Sequence, residues 1–271
     1  MATTNQTIAF FGATGGCSGT ILAAALRAGH KCTALARTPE KLRKFLINEH
    51  SIPESTIDSQ LTIHSGNVKD PAAASQALIS PTNSSVLVDH VVSGIGAAPV
   101  FQWTPPFVTI DDPNLCHTGI AAILAAVDLL VNKGITAAQD GRKPLITVIS
   151  TTGISKKARD VPYLHFPFYH GLLRVPHIDK RKMEAFLFED NGVHFRDFVV
   201  IRPTLLMDYK PYGLDSVRAG WEWGVGGAEK NGVKEPGPQM GYTIGRKDVG
   251  NWTFVKVIQE GGWEGKCISL C

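Results

Sequence analysis

The segment Gly12-Ala13-Thr14-Gly15-Gly16-Cys17-Ser18 has the residue types and spacing that chemistry with a phosphate requires. Glycines let the backbone turn sharply and approach a pyrophosphate closely. A helix starting beyond them offers unpaired N–H groups and the positive end of its dipole. The apolar run Ile8 to Phe11 before the loop reads as a buried strand, and Ile21, Leu22, Ala25 and Leu26 after it have helical spacing. Strand, glycine loop and helix in that order make a dinucleotide site. Ser18 stands at the third glycine position, followed by Gly19; serine is small enough for helix and strand to pack closely there. The choice of dinucleotide falls on the end of the second strand, Leu35-Ala36-Arg37-Thr38. An acid at that point would accept from ribose hydroxyls, whereas a cation would hold a 2′-phosphate. No acid occurs before Glu40, and Arg37 can clamp a phosphate bidentately, so the residues predict NADP(H).

Two further segments carry candidate chemistry. Positions 97–115 hold Phe101, Trp103, Pro105, Pro106 and Phe107, then Asp111 and Asp112. This loop leaves the carboxyl end of the fourth strand, where doubly wound sheets bind ligands. Aromatic walls with paired carboxylates suit a bulky hydrophobic small molecule, cationic polycycles included. The plainer alternative is a capping loop in which Asp112 or Asn114 starts the next helix. Trp103, Asp111, Thr152, Phe166 and Trp221 are the candidate substrate contacts, Trp221 closing the pocket from the C-terminal part. The second segment contains Tyr163, His165, Tyr169, His170 and His177. Histidine transfers protons near neutrality and tyrosine donates to a carbonyl, so His165, Tyr169 and His170 are candidate acids. With Phe166 and Phe168 among them, the same loop also reads as a hydrophobic lid. The histidines lack compact ligand spacing, so no metal is expected.

Positioning these groups requires alternating strands and helices. Apolar runs at 8–11, 32–36, 61–64, 90–93 and 145–150 read as strands, with helices predicted at 18–28, from Pro39, at 71–79 and at 116–131. Strands separated by helices of this length imply βαβ units and a parallel sheet. After Ser150 the order changes: a loop to Pro176, a helix to about Asp190, a strand at 195–201 and an irregular glycine-rich stretch at 221–241. Asp248 is expected to cap a last helix, and 266–270 to form a final strand. The predicted class is α/β, a doubly wound parallel sheet with a small C-terminal substrate lobe. It forms one domain over 1–271, with the dinucleotide-binding core at about 1–155 and mostly substrate-binding elements at 156–271.

Composition narrows the function classes. With 271 residues, 27 Lys+Arg against 24 Asp+Glu and a net charge of +3, the chain is globular and carries no concentrated basic footprint for nucleic acid. The densest basic run, Lys180-Arg181-Lys182, reads as a solvated helix face. Five cysteines without CxxC spacing argue against disulfides and structural zinc. The most apolar stretch, 120–131, is interrupted by Asp128 and falls short of the roughly 20 residues a membrane span needs. The expected compartment is the cytoplasm and the expected partner a small molecule; oligomeric state stays open.

The run Ile8 to Gly16, Ala28-Gly29-His30 and Ala36-Arg37-Thr38-Pro39-Glu40-Lys41-Leu42 resemble the atypical short-chain dehydrogenase/reductases, above all the NmrA-like and flavin-reductase-like group. The likeness continues through Gly66-Asn67-Val68, Val91-Val92-Ser93-Gly94, Val148 to Gly153, Val200-Ile201-Arg202-Pro203 and Arg246-Lys247-Asp248-Val249. It covers most of the chain, with only the first loop specific. It implies a Rossmann-type NADP-binding sheet, and adds Asn67, Val68, Ser93, Gly94, Thr151 and Pro203 to Gly12, Thr14, Gly15, Gly16, Cys17, Ser18, Arg37 and Thr38 as cofactor contacts. Reductases of that group carry a catalytic Tyr four residues before a Lys. The resemblance makes Lys180, with Glu184 four residues on, the lysine that holds the nicotinamide ribose. Four residues before it stands Pro176, which has no proton to give. Three functions therefore remain open: an NADP(H)-dependent oxidoreductase, an NADP-bound enzyme of isomerisation or rearrangement, and an NADP-sensing regulator.

Overall fold

The computed structural model describes residues 5–97, 99–101, 103, 108–163, 174–230 and 232–271. His165, Phe166, Tyr169 and His170 lie outside the described residues. Eight strands form the central sheet: β1 (Thr7–Phe11), β2 (Lys31–Ala36), β3 (Leu61–Ser65), β4 (His90–Ser93), β5 (Leu145–Ile149), β6 (Asp197–Pro203), β7 (Ala219–Trp223) and β8 (Lys266–Leu270). Their spatial order is β7-β8-β6-β5-β4-β1-β2-β3. All neighbours are parallel except the β7–β8 pair. The chain moves outward from β1 to β3, then returns to place β4 on the other side of β1. The strand order reverses there, which opens a crevice beyond the carboxyl ends of β1 and β4. Phe11 pairs with both Leu35 and Ser93, so the loops after β1, β2 and β4 leave at one level.

Alternation along β1 shows why both faces are covered. Ile8 and Phe10 enter a core shared with α1 (Gly16–Arg27), α2 (Pro39–His50), α3 (Glu54–Gln60) and α7 (Arg246–Trp252). Ala9 and Phe11 enter the opposite core with α4 (Pro71–Leu78), α5 (Leu115–Val131) and α6 (Arg174–Glu189). The side chains of Ile8, Ala9, Phe10 and Phe11 are all fully buried. Each large one contributes about 1.5–3 kcal/mol of transfer free energy, so a one-residue slip of β1 would be strongly disfavoured.

The α/β class and doubly wound sheet are those the sequence predicts, with four local differences. Helix α1 begins at Gly16, before the apolar spacing starts. Helix α3 is too short for a periodic signal, and Ile57 is its one buried residue. The stretch expected to be irregular from Trp221 begins instead within β7, because its backbone pairs with the last strand. Asp248 is not the cap of α7: Gly245 holds that position, and the buried Asp248 carboxylate accepts from the backbone N–H groups of Tyr212 and Gly213 at 3.2 and 3.0 Å. Among the described residues no helix is long and apolar enough to cross a membrane.

Candidate functional site

A cavity of about 520 Å³ occupies the crevice at the strand-order reversal. Its floor is the glycine loop. Gly12 has φ +75°, and a Cβ there would lie 2.7 Å from the Gly94 carbonyl carbon, so only glycine fits between β1 and β4. Gly15 is the N-cap of α1 in extended backbone and makes no side-chain cap, which leaves the helix N-terminus open to a ligand. Thr14 and Gly15 are exposed to the cavity. The departure at Ser18 has a packing reason: a Cβ on Gly94 would overlap the Ser18 Cβ, so the glycine has moved to the partner strand. The Ser18 and Ser93 hydroxyls are buried without a hydrogen-bond partner among the described residues. Gly16 lies beneath Arg246, whose Cδ would be 2.6 Å from an added Cβ. Cys17 is buried, and burial pushes its thiol up to about 12, against the nearby charges of Arg246 and Lys180. It is therefore an inert packing residue.

The β2 end of the cavity is cationic. Arg37 and Thr38 line it, as does Lys41 from the first turn of α2. Lys41 is a lysine that sequence reasoning passed over, since a helix lysine ordinarily reads as solvated. Asn67 and Val68 line the adjoining wall, and the Asn67 side chain accepts from the Lys69 N–H at 3.1 Å. One acid lines the cavity among the described residues, Asp112, and it pairs with Lys69. The hydrogen bond from Lys69 holds the Asp112 carboxyl below the usual range. Asp111 is exposed and is not among the lining residues.

Helix α6 braces the elements around the cavity, although neither Lys180 nor any other α6 residue is among those lining it. Lys180 donates from Nζ to the carbonyl oxygens of Ile95 at 2.9 Å and Ile149 at 2.6 Å, tying the end of β5 to the loop after β4. The preceding residue, Asp179, has a fully buried side chain that accepts from the backbone N–H groups of Cys116 at 2.8 Å and His117 at 3.0 Å. Asn114, one of the two residues in the alternative capping reading, holds the N-cap position of α5 but makes no side-chain cap, and Asp179 satisfies the N–H groups from another helix. Burial opposes the Asp179 charge, but these N–H donors outweigh it and hold the carboxyl below its ordinary range. His117 Nδ1 lies 2.9 Å from the same carboxylate.

Behind β5 lies a buried ionic chain that the sequence did not disclose. Arg202 on β6 donates to Glu184 of α6, at 3.0 and 2.7 Å, and to Glu222 of β7. Ser150 donates to Glu184 at 2.6 Å. Thr152 is buried and bonds the Pro203 carbonyl through both its N–H (3.0 Å) and its hydroxyl (3.3 Å), while Thr151 is half-buried. Neither threonine lines the cavity, nor does Pro203. Trp103 stands in solvent at 99% exposure. Trp221 packs edge-on to Trp223 at 5.0 Å between ring centroids, with the Lys266 ammonium 4.7 Å from its own centroid, outside the cavity lining.

The residues present fit a dinucleotide: a glycine cradle that a Cβ would fill, an uncapped helix N-terminus, and cations at the end of β2. No group of three or more metal-ligating side chains occurs among the described residues.

Comparison with known proteins agrees. No family model matches the chain. The chain is 38% identical over 284 residues to the reductase pytE of Aspergillus terreus, covering 100% of this chain and 99% of the relative. It is 37% identical over 290 residues to the oxidase pynE of Aspergillus niger, covering 97% and 98%. Among solved structures it resembles a Rossmann-fold NAD(P)-binding family protein from Shigella flexneri, with TM-score 0.57, 14% identity, and 99% and 94% of the two chains covered. It also resembles ChuY, an anaerobillin reductase from Escherichia coli O157:H7, with TM-score 0.58, 12% identity, and 97% and 96% covered. At such identities the solved structures speak for the fold, and the two Aspergillus proteins for closer kinship. The chain belongs to the family of these two Aspergillus proteins, one named a reductase and the other an oxidase, and it has the Rossmann fold of NAD(P)-binding proteins.

Proposed function

We propose that the protein is an NADP(H)-dependent oxidoreductase acting on a bulky hydrophobic small molecule of the secondary-metabolite kind. The observation that carries the cofactor choice is the pair Arg37 and Lys41 lining the β2 end of the cavity, while Glu40 between them is not among the lining residues. When bound, the nicotinamide supplies or accepts a hydride. The glycine loop and the α1 N-terminus hold the pyrophosphate, and Arg37 with Lys41 holds the 2′-phosphate. Lys180 has three donors, two of them engaged by the Ile95 and Ile149 carbonyls. In this reading the ammonium also donates to a ribose hydroxyl. The substrate proton passes through His165, Tyr169 or His170, because Pro176 cannot supply it. Trp103, Asp111, Thr152, Phe166 and Trp221 remain the proposed substrate contacts. The names of the two relatives, a reductase and an oxidase, support a redox reaction without fixing its direction.

Calorimetric titration with NADP⁺ and NAD⁺ tests this reading in wild type, Arg37→Ala and Lys41→Ala. A charge-assisted phosphate contact is worth about 1.5–3 kcal/mol. Each variant should therefore lose roughly 10- to 150-fold in NADP⁺ affinity with NAD⁺ unaffected. Equal wild-type affinity for the two cofactors would refute it. Pro176 favours one second reading, an isomerisation or rearrangement organised by bound NADP. Product formation without matching NADPH consumption would select that reading.

A further inference from the structure

A second cavity, of about 320 Å³, opens beside the loop that follows β5. Its wall carries four cations: Lys156, Lys157, Arg159 and Arg181. Lys157 is partly neutralised, since its Nζ lies 3.2 Å from Glu235. Lys156, Arg159 and Arg181 make no ion pair among the described residues. Among the described residues the one acid in the wall is Asp160, which is buried. Its Oδ2 is turned to the backbone, accepting from Gly153 N–H at 2.8 Å and Ser155 N–H at 3.5 Å. Glu222, below the cavity, is engaged by Ser155 and Arg202. Like charges brought around one hollow repel each other, and an anion between them reverses the sign of that interaction.

The two arginines are also held in place. The Arg159 guanidinium carbon sits 3.6 Å from the centroid of the Tyr163 ring, a cation–π contact that fixes its plane. Arg181 donates one N–H to the Gly153 carbonyl at 3.3 Å, which leaves most of its donor fork open. Arg181 follows Lys180 directly, and the two side chains donate to carbonyls four residues apart, Gly153 in the loop after β5 and Ile149 at the end of β5. The wall of this cavity and the lysine proposed to hold the nicotinamide ribose therefore lie side by side on one helix.

We propose that this basic cavity anchors a carboxylate of the substrate, so that the substrate class is an organic acid. The assignment rests on the reading above, because it takes the cavity as an extension of the same active site. The test is calorimetric titration of the NADP⁺-saturated full chain with 2-naphthoate and with its neutral counterpart 2-naphthamide. Saturation with NADP⁺ blocks the cofactor's own phosphate sites and is verified first. Wild type should bind the acid at least about tenfold more tightly than the amide, as a charge-assisted contact requires. The preference should fall by about that factor in Arg181→Gln and persist in Lys133→Gln, an exposed lysine beyond the end of α5. Equal binding of acid and amide overturns the proposal, as does a preference that survives Arg181→Gln combined with Lys156→Gln. Inorganic phosphate that displaces 2-naphthoate at concentrations equal to its own would mark a free-oxyanion site and also overturn it. A chain that fails to bind NADP⁺ refutes the cofactor reading, whereas a saturated chain indifferent to 2-naphthoate refutes the anchor alone.

Discussion

Gly15→Val separates the cofactor site from the fold. The Gly15 backbone is extended, φ −80° and ψ 144°, which a β-branched residue adopts readily. An added Cβ would stand 3.3 Å from the Gly12 carbonyl oxygen and 3.7 Å from that of Gly94, tight but tolerable. Replacing an N-cap glycine with an apolar residue costs about 1 kcal/mol. For a chain of this length that is a fall of roughly 2–4 °C in Tm. The two valine methyls, however, fill the space over the α1 N-terminus where a pyrophosphate must sit. Affinity for NADP⁺ should fall at least 100-fold, equivalent to about 2.7 kcal/mol. Gly12→Ala should behave oppositely. Its φ of +75° and the 2.7 Å approach to Gly94 place the cost in the folded state, with about 1–2 kcal/mol from the dihedral alone and more from the overlap. Differential scanning calorimetry with NADP⁺ titration reads both variants. A Gly15→Val protein that binds NADP⁺ within threefold of wild type would refute the assignment of this loop to the phosphates.

Two further predictions concern stability. Arg202→Met leaves Glu184 and Glu222 buried without their shared cation, and should cost about 3–5 kcal/mol in urea denaturation; a loss below about 1 kcal/mol would show that the ionic chain is dispensable. Burial, with Arg196 nearby, pushes the His90 imidazole down to about 3, and burial, with Lys247 and Arg27 nearby, pushes His50 down to about 4. Both stay neutral in the folded chain while the unfolded chain takes up protons below about 6.5. Their stability contribution is therefore complete above that pH and is lost on acidification toward 4 and 3, by up to about 1.4 kcal/mol per pH unit for each histidine. Thermal melts from pH 7.5 to 4.5 should show Tm falling with pH, with a shallower slope in His50→Gln; a flat profile would contradict the burial argument.

The glycine loop was legible because a phosphate site dictates local residue types, and the first five strands because each is a short apolar run between turn signals. What stayed hidden depends on partners distant in the chain. Strand β7 reads as Ala-Gly-Trp-Glu-Trp, rich in glycine nearby, and becomes a strand only by pairing with residues 266–270. Asp179 sits among polar helix residues, and nothing local says that it serves the N–H groups of Cys116 and His117. Nothing local to Glu184 or Glu222 says that Arg202 lies between them. Ser18 departs from the glycine pattern, and its compensation at Gly94 is visible only once β1 and β4 are neighbours.

Asp179 and Lys180 are consecutive, yet they hold different elements beside the cavity. Asp179 grips the start of α5, and Lys180 grips the carbonyls of Ile95 and Ile149. Helix α6 thus acts as a clasp, and the start of α5, the β4 exit and the β5 exit form a single mechanical unit. A substitution that tilts α6 anywhere along its length displaces all three together, and NADP⁺ affinity reports the tilt at a distance. The amides of Cys116 and His117 should accordingly exchange hydrogen in one cooperative step with the α6 backbone; independent exchange would show that the clasp is loose.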